Sequence, residues 1–135
     1  MWTTNASPVP GLRQSRVIRE ASIYDRKVGF DAPGHRVLIM RLWPRGVRRD
    51  VVDTWLKDAS PSRELLDAYH AGLSWSEFEQ RYRAEILDER PHVLDTLRGL
   101  EREHQVIWLL CHERIPPETH CHRLVLKAML EATPS

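Results

Sequence analysis

Residues 108–123, WLLCHERIPPETHCHR, hold both cysteines of the chain, three of its seven histidines and two arginines. Cys111 directly follows an apolar run that would hold its sulfur rigidly. Nearby arginines would stabilise the thiolate, making it a better nucleophile or ligand. Glu113 has the chemistry to act as an acid or base, or to position an arginine. Cys121, His122 and Arg123 fall where a last helix begins, and free amides at a helix start attract anions. A second stretch, RLWPRGVRR at 41–49, adds Arg41 and Arg45. Arg45 and Arg123 could clamp a phosphate or carboxylate bidentately. Cys111, Glu113 and His122 are therefore the candidate reactive groups, with Arg41, Arg45, Arg123 and Cys121 as ligand-binding residues.

Each of these residues also has an ordinary structural role. Buried cysteine is a common core residue. Arg41 and Arg45 could simply pair with Asp50, Asp53 or Asp58, and His112 and His120 suit a surface loop. Cys111, His112, Glu113, His120, Cys121 and His122 form a donor set that zinc would accept. Their spacing matches no familiar finger or ribbon, and adjacent ligands rarely chelate one tetrahedral ion, so no metal is assigned and no cofactor is named. A phosphatase or rhodanese-like loop would want an arginine six residues after the cysteine, where this chain has Pro117.

The elements that must position these groups are visible in the hydrophobic pattern. RVIREASIY (16–24) alternates, RVLIMRLW (36–43) is a short apolar run stopped by Pro44 and Gly46, and QVIWLL (105–110) is apolar almost throughout. All three read as strands, the last covered on both faces. Arg41 is out of place in a buried strand. A hairpin or compact loop over 25–35 would join the first two. Ser60-Pro61 predicts a helix start, with Leu65, Leu66 and Tyr69 inside and Gly72 at its end. Ser74 and Glu77 form a capping box ahead of Trp75, Phe78, Tyr82 and Ile86, whose spacing marks a core face. PHVLDTLRGLERE (91–103) buries Val93, Leu94, Leu97 and Leu100. CHRLVLKAML closes the domain as a helix, apolar at 124, 125, 128 and 129.

This order predicts an α/β fold: a small, mostly parallel sheet covered by helices, in a single domain over 16–132 behind a flexible tail at 1–15. Loops leaving the C-terminal ends of parallel strands converge on one edge, where ligands bind. If the second and third strands are neighbours, Arg41, Arg45, Cys111, Glu113, His122 and Arg123 share a cleft there.

The formal net charge of +1 excludes a global basic field for nucleic acid, so attraction for anions must be local. No apolar run reaches membrane-spanning length, and the first fifteen residues do not read as a secretory signal. Two cysteines without an export signal suggest a reducing cytoplasm, where a structural disulfide is disfavoured.

IYD (23–25), RVLIMRLWPRGV (36–47), WLKDASPS (55–62) and FEQRYRAEI (78–86), with the strand-loop-helix end, resemble the YeaO-like branch of the domain of unknown function 488 family. The resemblance runs over about residues 16–131. It implies a small α/β domain with a polar site. The wider family tends to show Arg-x-x-Pro at a strand end and a later Cys-x-Glu…Cys-His-Arg, here Arg41…Pro44 and Cys111-His112-Glu113…Cys121-His122-Arg123. YeaO-like members usually carry an aspartate where this chain has Met40, and usually lack the cysteines.

The leading expectation is a domain that binds a small anionic ligand, a nucleotide or phosphorylated metabolite, with thiol-assisted chemistry. The rivals are a nucleic-acid- or protein-binding module, for which the arginines and tryptophan of 41–49 suit phosphate contact and stacking, and a Cys/His metal protein.

Overall fold

The computed structural model describes residues 17–24, 33–111 and 121–132. Four strands, β1 (Val17–Ser22), β2 (His35–Leu38), β3 (Thr54–Trp55) and β4 (Val106–Cys111), form one sheet in the order β1-β4-β2-β3. Every pairing is parallel. β4 thus lies between β1 and β2, with Ser22 opposite Cys111 and Leu38 opposite Leu110. A hairpin between β1 and β2 is excluded, because they are parallel and separated by a strand. Residues 25–32 of their connection lie outside the described residues.

β2 is shorter than the apolar run around it. Ile39 still donates its amide to the Leu110 carbonyl (3.0 Å), but the chain leaves the sheet at Met40. Arg41 is therefore an exposed residue beyond the strand, and its conflict with a buried position disappears. β3, two residues long, had no apolar pattern to announce it. It is held by polar contacts: Asp53 accepts from the Arg36 amide (2.8 Å) and Nε (3.1 Å), while its own amide donates to the Arg36 carbonyl (2.9 Å). At the other end of β2, Gly34 has φ +120°. A Cβ there would meet Val106 Cγ1 at 2.8 Å and Trp108 Cδ1 at 2.9 Å, so the approach of the two strands needs glycine.

Four helices follow from the expected segments: α1 (Arg63–His70), α2 (Trp75–Ala84), α3 (His92–His104) and α4 (His122–Ala132). α1 begins later than Ser60-Pro61 suggests. Its cap is Ser62, whose Oγ accepts from the Leu65 amide (3.1 Å). Ser74 caps α2 as expected, accepting from the Glu77 amide (3.2 Å). α2 runs on into a π-helical turn at Glu85–Glu89, and Gln105 at φ 70° ends α3. In α4 the buried stripe is His122, Val125, Leu126, Met129 and Leu130, rotated from the expected 124, 125, 128 and 129. Spacings of three, four, seven and eight from His122 put that imidazole on the core-facing side.

The sheet faces are covered differently. Ile18, Val37, Ile39, Ile107 and Leu109 pack with the buried residues of all four helices. On the other face Leu38, Leu110 and Ile23 lie under Trp43, Trp55, Trp108 and the valines of 47–52. Helices form one layer, and the segment after β2 forms the other.

Candidate functional site

Because β2 and β4 are parallel neighbours, their exits open on the same sheet edge. The arginine-bearing turn and the thiol-bearing strand end therefore meet. Alternation along β4 places Ile107 and Leu109, and hence Cys111, on the helical face. His122, first residue of α4 and facing inward, sits against that edge. Its Nε2 lies 2.8 Å from the Ile39 carbonyl. A carbonyl only accepts, so Nε2 is the donor, and in the neutral imidazole Nδ1 is then the acceptor. That Nδ1 is 3.8 Å from Cys121 Sγ. One donor atom each from Cys111, Cys121 and His122 lie within 4.8 Å of one another, and all three residues are buried.

Tyr82 from α2 forms a wall of this cluster, its ring edge-on to His122 at 5.7 Å between centroids. Burial, the largest influence, pushes its phenol well above the ordinary range. It stays protonated and donates to the Ala59 carbonyl (2.6 Å). The fixed phenol and the Ile39 carbonyl leave the imidazole little freedom.

A cleft of about 310 Å³ opens over the cluster, lined by Met40, Arg41, Leu42, Ser60, Pro61, Leu66, His70, Cys111 and His122. Arg41 spans its mouth and donates from Nη2 to the Pro61 carbonyl (3.2 Å). The opposite wall, residues 58–62, is clamped from the π-helical turn. Glu85 accepts from the Ser62 amide (2.9 Å) and from its hydroxyl, and binds Arg90 at 2.9 Å. Arg90 Nη1 in turn donates to the carbonyls of Asp58 and Ser60, each at 2.7 Å. The WLKDASPS block thus builds a cleft wall, and Asp58 pairs with His92 (2.8 Å).

The predicted site residues divide into groups. Arg41, Cys111 and His122 line one cleft, and Cys121 belongs to the same buried cluster. Arg45 is exposed on the turn after β2, where its carbonyl accepts from the Tyr24 hydroxyl (3.1 Å). Arg123 is almost fully buried and places its Nε 2.7 Å from Glu20 on β1, tying α4 to the sheet on the far side of β4. Glu113, with His112 and His120, lies outside the described residues. Among the described residues, the partners of Asp50 and Asp53 are Arg48 and Arg36, not Arg41 or Arg45. Trp43 is committed to packing: its Nε1 donates to the Val47 carbonyl (2.8 Å) and Arg49 covers its ring at 4.5 Å.

Sequence reasoning missed His70 and Ser60 as cleft residues. His70 is the last residue of α1, and only that helix's orientation brings it to the cleft. No local pattern marked it.

A family model described as the active DUF488-N3 subclade matches residues 18–133. The chain belongs to this DUF488 family. The match takes in every helix, every strand but for Val17 of β1, and both halves of the Cys/His cluster. Uncharacterised proteins of Mycobacterium bovis and Mycobacterium tuberculosis are each 41% identical to it over 80 residues, 57% of this chain and 65% of theirs. The uncharacterised protein YeaO of Escherichia coli is 39% identical over 67 residues, 47% of this chain and 56% of its own. The matched region therefore spans less than two thirds of these DUF488 relatives. No solved structure matches the chain. No helix among the described residues is long and apolar enough to cross a membrane.

Proposed function

We propose that this domain binds a small anionic ligand, a phosphorylated metabolite or nucleotide, in the cleft at the C-terminal edge of β2 and β4, and that the Cys111 side of the cleft acts on it. The observation that carries this reading is that one cleft combines a cationic mouth, Arg41, with a floor containing Cys111 and His122. Its volume is at the low end of the roughly 300–1,000 Å³ typical of small-molecule sites, which favours a ligand no larger than a nucleoside monophosphate. Arg41 offers charge-assisted donors to the anion. Arg45, exposed on the same turn, adds positive charge, and Arg123 holds the helix that carries His122. His122, with its lone pair on Nδ1, is oriented to accept a proton near the sulfurs.

Calorimetric titration with inorganic phosphate and with AMP tests the proposal. Wild type binds at least one of them, and Arg41→Ala weakens that binding by about tenfold or more, the size of a lost charge-assisted hydrogen bond. Equal affinity in the two proteins would remove Arg41 from the site, and no binding of either probe would remove the anion.

A further inference from the structure

We propose that Cys111, Cys121 and His122 hold one divalent ion of the zinc class, with an open coordination position facing the cleft. This rests on the cleft being the ligand site and says how its floor acts: the metal, not a free thiolate, meets the anion.

Three observations converge. The donor set is two sulfurs and one imidazole nitrogen, which zinc prefers over the hard cations. The donors are already gathered, within 4.8 Å of one another, with Cys121 Sγ and His122 Nδ1 3.8 Å apart. Zinc bond lengths in a tetrahedron put sulfur and nitrogen roughly 3.6 Å apart. Finally, the imidazole has its outer nitrogen bonded to a backbone carbonyl, Ile39, as metal-ligating histidines characteristically do. The objection that adjacent residues rarely share an ion is met by local geometry. Cys121 precedes α4 and His122 opens it, and a donor atom of each lies within 4.8 Å of the Cys111 sulfur at the end of β4.

Two thiolates neutralise a dication, which makes the buried site electrically balanced; each thiol gives up its proton to solvent as the ion enters. Among the described residues three side chains supply donors, and three protein donors leave a fourth position, the pattern of catalytic rather than structural zinc. Cys111 and His122 line the cleft whereas Cys121 is not among its lining residues, so the free position points toward Arg41. A phosphate or carboxylate oxygen would bind the ion there, displacing water, while Arg41 meets the anion's other oxygens.

Cobalt(II) titration of the untagged, metal-free full chain tests this. We expect one cobalt per chain, with a near-ultraviolet thiolate-to-cobalt band that loses about half its intensity in Cys111→Ser and in Cys121→Ser. Inorganic phosphate should shift the visible cobalt spectrum in wild type but not in Arg41→Ala, which keeps the thiolate band. Should either serine variant unfold, judged by circular dichroism, wild-type labelling decides: zinc must shield both cysteines from iodoacetamide together. Saturating cobalt without a thiolate band, binding unchanged in both folded serine variants, or zinc that shields neither cysteine would overturn the metal site. Phosphate binding that depends on Arg41 would survive that result, and the anion cleft with it. A thiolate band accompanied by a visible cobalt spectrum insensitive to phosphate would contradict the open position.

Discussion

His122 illustrates how one residue's position is fixed by several modest contacts. The Ile39 carbonyl accepts a hydrogen bond from its Nε2, Tyr82 stands edge-on to the ring, and the inward stripe of α4 sets its direction. Truncating it should therefore be felt in stability as well as in binding. His122→Ala leaves a buried carbonyl unpartnered, a loss of about 1–3 kcal/mol measurable by urea unfolding. An unchanged midpoint would show that the imidazole is not held as described. Cys111 is different, because its side chain belongs to the buried cluster and lines the cleft. Cys111→Ser is nearly isosteric, so it should fold normally and lose about half of the cobalt–thiolate band and the labelling at position 111 without a large change in the unfolding midpoint. A drop comparable with that of His122→Ala would mean that Cys111 serves the core more than the site.

Among the elements, the short polar edge of the sheet gives the clearest pH dependence. Burial raises the Asp53 carboxyl, but the hydrogen bonds and charge of Arg36 lower it, and the lowering prevails. A depressed carboxyl stabilises the fold above its unfolded value, and that contribution is lost as pH falls through the folded value. Asp53→Asn should thus be less stable than wild type near neutrality, with the difference shrinking in acid below the usual carboxylate range. A constant difference across that range would contradict the pairing of β3 to β2. Gly34→Ala probes the opposite end of β2. The added methyl meets Val106 and Trp108 at under 3 Å in a backbone conformation that L-residues avoid, so thermal unfolding should report about 1–3 kcal/mol of destabilisation.

These elements also show what the sequence could and could not reveal. QVIWLL and the first part of RVLIMRLW read as strands because buried parallel strands are apolar on both faces. α2 reads as a helix from its capping box and periodicity, and α3 from its periodicity. β3 was illegible because Thr54–Trp55 pairs through backbone and Asp53–Arg36 contacts, which leave no pattern. The phase of α4 was misjudged because LVL at 124–126 offers two adjacent apolar stripes, and only packing against the sheet chooses between them. Ser60-Pro61 looked like a helix start, yet both residues are buried in the cleft wall and Ser62 caps the helix instead.

At the scale of the whole molecule, the candidate site follows from strand order. Placing β4 between β1 and β2 makes neighbours of segments some seventy residues apart, so the turn after Ile39 and the end of β4 share an edge. The same order sends Arg123 to the other side of β4, where Glu20 engages it, and separates it from Arg41. Residue types alone placed both arginines at one anion. Strand order divides the work, leaving Arg41 at the cleft and Arg123 anchoring α4. The cleft's rigidity comes from a third distant segment, because Glu85 and Arg90 pin residues 58–62 opposite Arg41. Replacing Glu85 by Gln should weaken anion binding through the displaced wall while the thiol cluster, built on other elements, still binds cobalt.

The most direct measurement is the rate at which iodoacetamide labels Cys111 in metal-free protein, followed by peptide mass spectrometry with and without saturating inorganic phosphate. If Arg41 and the sulfur share one cleft, phosphate slows labelling several-fold in wild type and has no effect in Arg41→Ala. Labelling at one rate in all four conditions would place the sulfur and the arginine in separate environments and contradict the account.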